Sequence, residues 1–171
     1  PDALIYPSRL FDLLSKEIRA YGGEILTNHQ VVSIKQINNI ASSVVVSHNG
    51  IKTSIECDGI INAAGPWSGK IAKLINQNVE LQLTRGCGIF FTGKLINKAI
   101  NRCRVPNNND IMCPSGKESL WGTTSEVVIN PDSPKTSLDE IKELLQGAEE
   151  IFPNIRNYKS FRTWSVSYTH L

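Results

Sequence analysis

Two short segments of this sequence combine residue types that could bind a small ligand. The first is residues 63–65, Ala-Ala-Gly, where small side chains leave the backbone open to close approach by another group. It is followed by Pro66, which suits the first turn of a helix, and α/β folds place ligands where strands give way to helix starts. The same residues could serve only tight packing of the turn, and their spacing leaves both interpretations open.

The second segment places a cation near hydroxyl groups. Arg85 comes just before two glycines, and its planar guanidinium group suits a carboxylate or a phosphate. Thr123 and Thr124 follow a glycine, and their hydroxyls could bond a polar ligand or satisfy their own turn. Arg85 could equally pair with a surface acid, so the residues alone do not choose between these roles.

A further pair of cations, Arg102 and Arg104, would share one face of a strand, with Pro106 behind them. That face could hold an anion or remain solvated. Gly86-Cys87-Gly88 lacks the third glycine of G-x-G-x-x-G, and no Walker-type phosphate loop is present. The diphosphate of a nucleotide therefore has no obvious binding loop in this sequence.

Histidine and cysteine give no further catalytic or metal pattern. The three histidines are far apart in sequence, and solvated or capping roles are expected for His29, His48 and His170. The four cysteines form no C-x-x-C pair, which favours reduced structural thiols in a cytosolic protein at Cys57, Cys87, Cys103 and Cys113.

Composition narrows the class of protein. The 171 residues are 40% hydrophobic and 20% charged, as expected of a globular protein with a real core. A net charge of +2 without a basic run argues against nucleic-acid binding. No apolar stretch reaches the roughly 20 residues of a membrane span, and no secretory signal is visible.

The elements that must position these residues can be predicted from periodicity. Apolar residues at helical spacing predict a helix over residues 7–21, and Asn49-Gly50 predicts a hairpin between strands at 43–47 and 51–56. Ile60 and Ile61 predict a buried strand over 58–64 that leads into the Ala-Ala-Gly turn. Further strands are expected at 24–27 and 31–34, and a helix at 68–76.

A second, antiparallel sheet is predicted after a change of layer near residue 78. Its strands would occupy residues 81–84, 87–91, 110–113, 119–121 and 158–165. Ser137, with Glu140 three residues later, predicts a capping box at the start of the last helix. The fold class expected is α/β, more strictly α+β, in two parts.

Several runs resemble the FAD-dependent glycerol-3-phosphate dehydrogenases of the D-amino-acid-oxidase-like flavoprotein group. Asn-Ala-Ala-Gly-Pro-Trp at 62–67 marks the broad group, together with Pro-Ser-Arg-Leu at 7–10 and the run 22–31. Asn-Arg-Cys-Arg-Val-Pro at 101–106 and Gly-Thr-Thr-Ser at 122–125 are similar to the large catalytic chain of the anaerobic enzyme. The resemblance extends from residue 2 to about residue 165.

The resemblance implies FAD as cofactor. Residues 1–78 would be the later part of a Rossmann-like FAD-binding domain, and residues 79–165 an incomplete substrate domain. Val31 would offer its backbone to the adenine, and the flavin would lie against Ala63, Ala64 and Gly65, with Trp67 nearby. Arg85, Thr123 and Thr124 would lie on or near the substrate face.

The implied reaction oxidises sn-glycerol 3-phosphate to dihydroxyacetone phosphate by hydride transfer from C2 to the flavin. Partner subunits of a membrane-associated complex would pass the electrons to a quinone, which implies a protein that is cytoplasmic or peripheral at the inner face of the cell membrane. The resemblance identifies no catalytic base.

Two departures from the family pattern suggest an internal fragment. The family's glycine-rich loop for the FAD diphosphate should precede Pro1, so the 171 residues alone are expected to bind FAD weakly or not at all and to be inactive. The match also stops after Trp164-Ser165, where the family continues to an Arg-Pro pair, so residues 166–171 are suspected to be foreign sequence. An amine or amino-acid oxidase of the same fold and a non-catalytic binding module remain the alternatives.

Overall fold

A computed structural model of the chain describes residues 4–105, 107–132 and 135–170. Pro106, which belongs to the predicted arginine face, and Leu171, in the suspected foreign tail, lie outside the described residues. The chain divides into two compact units, one of Ile5–Glu80 and the other mainly of Leu81–Leu171. Helices and antiparallel sheets occur together, which confirms the mixed α and β class.

The first unit joins one helix to a three-stranded antiparallel sheet of order β1-β2-β3. Its elements are α1 (Pro7–Ala20), β1 (Gln30–Ile37), β2 (Ile40–His48), β3 (Ile51–Glu56), a 3₁₀ turn (Gly65–Trp67) and the short helix α2 (Ser68–Lys73). The predicted hairpin is confirmed, because Asn49 and Gly50 both have positive φ angles, 50° and 82°, and His48 pairs with Ile51.

Two strands predicted in this unit are wrong. Residues 24–27, which follow the end of α1, are irregular, and none of the described strands pairs with them. Residues 58–64 are also irregular, since no strand of the described residues pairs with them, and Ile61 is 94% exposed instead of buried. The predicted helix at 68–76 is shorter than expected and ends at Lys73.

The second unit is a six-stranded antiparallel sheet with one packed helix. Its strands run in the order β5-β6-β7-β4-β8, and β9 pairs with β4. The elements are β4 (Gln82–Thr92), β5 (Ile100–Asn101), β6 (Ile111–Ser115), β7 (Glu118–Gly122), β8 (Glu126–Val127), α3 (Leu138–Ile151), a 3₁₀ turn (Ile155–Asn157) and β9 (Ser160–His170). The last strand includes residues 166–170, which pair with the first part of β4.

Strand β4 corrects the predicted interruption at Gly86 and Gly88. The strand runs through both glycines without a break, because each allows a close approach by a neighbour instead of a turn. A Cβ atom at Gly88 would lie 2.6 Å from Trp164 Nε1 and 3.1 Å from the Trp121 carbonyl oxygen. The two glycines therefore serve packing within the sheet.

The core of the second unit lies between β4, its neighbouring strands and α3. Trp121, Phe91 and Leu144 are fully buried in it. The predicted capping box is confirmed: Glu140 N–H donates to Ser137 Oγ (3.2 Å), and Ser137 N–H donates to Glu140 Oε2 (2.8 Å).

The cysteines are free thiols with different environments. Cys87 is buried, Cys103 is exposed, and Cys57 and Cys113 are half-buried. None of the helices in the described part of the chain combines the length and the apolar character that crossing a membrane requires.

Candidate functional site

The predicted flavin-binding turn presents open backbone. Gly65 has a φ of 52°, and a Cβ atom built there would meet nothing within 4 Å. Asn62 holds the approach to the turn, since its side chain accepts a hydrogen bond from Ala64 N–H (3.3 Å) and donates to the Ser68 carbonyl (2.9 Å). Trp67 is 40% exposed beside it. The first unit therefore leaves this turn accessible to a flat group.

Val31 lies at the edge of the first sheet. Strand β1 pairs only with β2 among the described strands, so its outer side offers backbone groups. The register shifts between Val31 and Ser33, which marks a bulge next to the predicted adenine contact. This position fits a backbone contact, and adenine binding by Val31 stays a prediction.

Arg85 lies on the face of β4 that α3 covers. Side chains alternate along a strand, and Cys87 and Ile89 on the same face belong to the core that α3 completes. Arg85 Nη2 donates to Glu140 Oε2 at 2.5 Å, and the two side chains are 16% and 5% exposed. The guanidinium group thus already has a carboxylate partner, the alternative that the sequence had left open.

Glu140 accepts hydrogen bonds from two further groups. Thr124 Oγ1 donates to Glu140 Oε1 (3.0 Å) and accepts from Cys87 N–H (3.1 Å), while Ser137 N–H donates to Glu140 Oε2. We call Arg85, Cys87, Thr124, Ser137 and Glu140 the Glu140 cluster. Thr124 is fully buried in it, so its hydroxyl serves the cluster.

The cluster favours an ionised carboxylate. Burial by itself would raise the pKa of Glu140, but hydrogen bonds from the Ser137 backbone and from the Cys87 and Arg85 side chains outweigh it. The pKa of Glu140 falls from its ordinary value of 4.5 to about 2. Glu140 is consequently a charged partner for Arg85 at neutral pH.

Thr123 lies next to the cluster and is half-buried. Its carbonyl accepts a hydrogen bond from Asn109 N–H (3.0 Å), which ties the 107–110 loop to the end of β7. The structure therefore brings Arg85 and Thr124 together through Glu140 and places Thr123 beside them. Substrate binding by these three residues stays a prediction.

The Arg102 and Arg104 side chains both have acidic partners. Arg102 Nη1 donates to Glu150 Oε2 (2.7 Å), and Nη2 donates to the Gly147 carbonyl. Arg104 Nε donates to Asp110 Oδ1 (2.7 Å). Burial would raise the pKa of Asp110, but its hydrogen bonds, including the one from Arg104, lower it. These contacts fasten the loop before β6 to α3 and favour a structural role over anion binding.

The histidines of the first unit are surface residues with local partners. The His29 and His48 rings stack with centroids 4.5 Å apart, and each Nδ1 lies within hydrogen-bonding distance of a backbone carbonyl. The side chain of His170 lies outside the part that the structure describes. The described part of the chain holds no group of three His, Cys, Asp or Glu side chains arranged for a metal ion.

Glu140 is the residue whose full role the sequence did not reveal. The capping-box spacing identified it as part of a helix start, but its partner Arg85 is 55 residues away and its partner Thr124 is 16 residues away. No periodicity links positions so far apart, so only the fold could show the contact.

The chain matches a known protein family over nearly its full length. The family model described as FAD dependent oxidoreductase matches residues 1–169. One chain of the anaerobic glycerol-3-phosphate dehydrogenase of Escherichia coli, named as a subunit of that enzyme, is 27% identical over 169 residues. The match covers 96% of this chain and 31% of that protein, so this chain spans about a third of the length of its relative.

Solved structures show the same fold. A glycerol-3-phosphate dehydrogenase from Bacillus halodurans, complexed with FAD, superposes with a TM-score of 0.83 and 19% identity, covering 95% of this chain and 35% of that one. A glycine oxidase from Bacillus cereus gives 0.76 and 18%, with 94% and 43% covered. The open backbone at residues 63–65 fits a flavin, because no side chain fills the space beside Gly65.

Proposed function

We propose, since this chain belongs to the FAD-dependent oxidoreductase family, that it is part of a dehydrogenase that oxidises sn-glycerol 3-phosphate to dihydroxyacetone phosphate. The observation that carries the proposal is the similarity to the Escherichia coli anaerobic glycerol-3-phosphate dehydrogenase over 96% of the chain. FAD is the cofactor of the family, and when bound it would accept the hydride that leaves C2 of the substrate.

The first unit would bind FAD through its backbone. Residues 63–65 would lie against the flavin, with Trp67 beside them, because a side chain larger than methyl would keep a flat ring away. Val31, at the sheet edge, would contact the adenine. These assignments are supported by the open space at Gly65 and the edge position of β1.

The second unit, which contains most of the predicted substrate domain of residues 79–165, would supply the substrate side. Arg85 and Thr123 would bind the phosphorylated substrate, and Thr124 would act from within the Glu140 cluster. Guanidinium groups bind phosphate oxygens through paired N–H donors, and Glu140 Oε2 accepts from only one guanidinium nitrogen of Arg85 in the contacts described. Arg85 Nε is buried without a hydrogen-bond partner, so the Nη donors that Glu140 leaves unused would serve the anion.

The partner subunits are proposed from the name of the relative, and the electron acceptor is proposed from the family resemblance. The Escherichia coli protein is named as one subunit of its enzyme, so we propose partner subunits that carry electrons from the flavin to a quinone. A cytoplasmic location, peripheral at the inner face of the membrane, goes with that acceptor.

The test uses the complete protein that contains this chain. Purified protein should carry FAD, reduce an artificial electron acceptor with sn-glycerol 3-phosphate, and produce dihydroxyacetone phosphate. The variant Arg85→Ala should raise the KM for the phosphorylated substrate more than it lowers flavin content. Unchanged kinetics would remove Arg85 from the substrate site, and no activity with sn-glycerol 3-phosphate would refute the proposed function.

A second candidate, an amine or amino-acid oxidase, is favoured by the likeness of the fold to glycine oxidase. The same purified protein separates the two candidates. Hydrogen peroxide formed with glycine or another amino acid, and no preference for a phosphorylated substrate, would select the oxidase. A non-catalytic module would show neither reaction.

A further inference from the structure

Glu140 is a buried carboxylate at the junction of three segments of the second unit. It is 4% exposed and lies where β4, the segment after β7 and the start of α3 meet. A buried carboxylate is costly unless each oxygen finds a donor, and here both do. Its surroundings therefore indicate more than a surface helix cap.

The bonds to Glu140 exceed what a capping box needs. In a capping box the Glu140 side chain needs to accept only one hydrogen bond, from the N-cap backbone, and Ser137 supplies it. Glu140 additionally accepts from the Arg85 guanidinium on β4 and from the Thr124 hydroxyl after β7. The Glu140 side chain thus contacts both the Arg85 cation and the Thr124 hydroxyl, which are 39 residues apart in sequence.

The ion pair with Glu140 orients the Arg85 guanidinium and balances its charge. With Glu140 ionised, the pair has no net charge, so a phosphate at Arg85 would be bound through oriented N–H donors instead of through long-range attraction. Thr124 is held on the other carboxylate oxygen, and the carbonyl of the adjacent Thr123 accepts from Asn109 N–H. The ionised Glu140 carboxylate thus holds the Arg85 guanidinium in one orientation.

We propose that Glu140 is a positioning residue, which holds Arg85 and the Thr123–Thr124 segment in the arrangement that binds a phosphorylated substrate. This inference rests on the proposed function, since it needs Arg85 or Thr123 to contact that substrate. It adds a residue on α3 that does not itself touch the ligand.

The experiment uses the complete FAD-loaded enzyme and sn-glycerol 3-phosphate. The variant Glu140→Gln should raise KM by about tenfold while kcat and flavin content change by less than about threefold, because orientation is lost but the shape is kept. Glu140→Asp retains the charge and should restore part of the KM. The matched control Asp139→Asn, on the same helix, has a 91% exposed side chain paired with Lys142 and should leave KM within about twofold.

A double-mutant cycle tests whether Glu140 acts through Arg85. In an Arg85→Met background, Glu140→Gln should raise KM by much less than in the parent enzyme. Equal effects in both backgrounds would overturn the inference. So would an unchanged or lower KM in Glu140→Gln, since a lower KM means that Glu140 only repels the anionic substrate.

Two failures remain distinguishable. A parent enzyme without activity on sn-glycerol 3-phosphate refutes the proposed function itself. A parent enzyme that is active, with Glu140→Gln and Glu140→Asp both losing flavin and folded protein, assigns Glu140 to stability alone and overturns the positioning role.

Discussion

Helices α1 and α3 have the same length, 14 residues, and both are amphipathic, but only α3 is packed into a core. Leu144 and Ala148 of α3 are fully buried, whereas α1 has no buried residue. Its apolar side chains are all exposed, at Leu10, Phe11, Leu13, Leu14 and Ile18. Periodicity therefore predicts a helix and its apolar face, but a different segment must provide the surface that covers it.

The largest effect should come from comparing one aromatic residue in each unit. Phe91→Ala removes a fully buried ring and should cost about 3–5 kcal/mol of unfolding free energy. Phe11 is 64% exposed, so Phe11→Ala should change the unfolding free energy by within about 0.5 kcal/mol. Urea unfolding of the two variants measures the difference, and equal costs would show that α1 is covered as α3 is.

The elements that were predicted correctly carry their signals within a few residues. The Asn49-Gly50 hairpin and the Ser137–Glu140 capping box each depend on neighbours in sequence, and both are confirmed. The strand expected at residues 58–64 depends on partners elsewhere, and no described strand provides one. Gly86 and Gly88 predict a break in β4, because glycine is typical of turns. The structure shows that Gly88 instead makes room for Trp164, which is distant in sequence.

The candidate site shows the same limit. Small residues at 63–65 predicted open backbone, which the structure has at Gly65. Arg85 and Glu140 lie on distant segments, so the sequence could predict only a pairing of Arg85 with some surface acid, not which one. Local chemistry can be predicted from residue types, whereas partners brought together by the sheet cannot.

Acid should weaken the second unit through Glu140. Since the folded pKa is lowered from 4.5 to about 2, the stabilisation is complete above pH 4.5 and is lost as the pH falls towards 2. The loss should reach about 3 kcal/mol across that range. Urea unfolding at several pH values should show a smaller acid dependence for Glu140→Gln than for the parent.

If Glu140→Gln retained the full acid dependence, other carboxylates would have to account for it. Asp110 and Glu149, whose pKa values are also lowered, are then the residues to substitute next.

A smaller effect should separate a packed glycine from an open one. Gly88→Ala should cost about 1–3 kcal/mol, because the new methyl group would overlap Trp164 Nε1. Gly59 of the first unit has nothing within 4 Å of its Cβ position, so Gly59→Ala should be nearly neutral. Thermal unfolding of the pair checks this, and a neutral Gly88→Ala would contradict the close packing of β9 on β4.

The smallest effect should come from the helix starts. Ser137→Ala removes the N-cap bond of α3 and should cost about 1 kcal/mol. Tyr6, at the N-cap of α1, makes no side-chain cap bond, so Tyr6→Ser should gain about 0.5 kcal/mol. Circular dichroism during urea unfolding measures both changes, and a gain from Ser137→Ala would contradict the capping geometry.

Cys87 is buried and Cys103 is exposed, so the labelling of these two thiols can measure how often the second unit opens. An alkylating reagent can reach Cys103 in the folded protein, but it can reach Cys87 only when β4 separates from α3 and β9. The ratio of the two labelling rates, read by mass spectrometry, would therefore give the equilibrium for exposing the sheet interior. Such a measurement needs no introduced cysteine and can be made on the unaltered sequence.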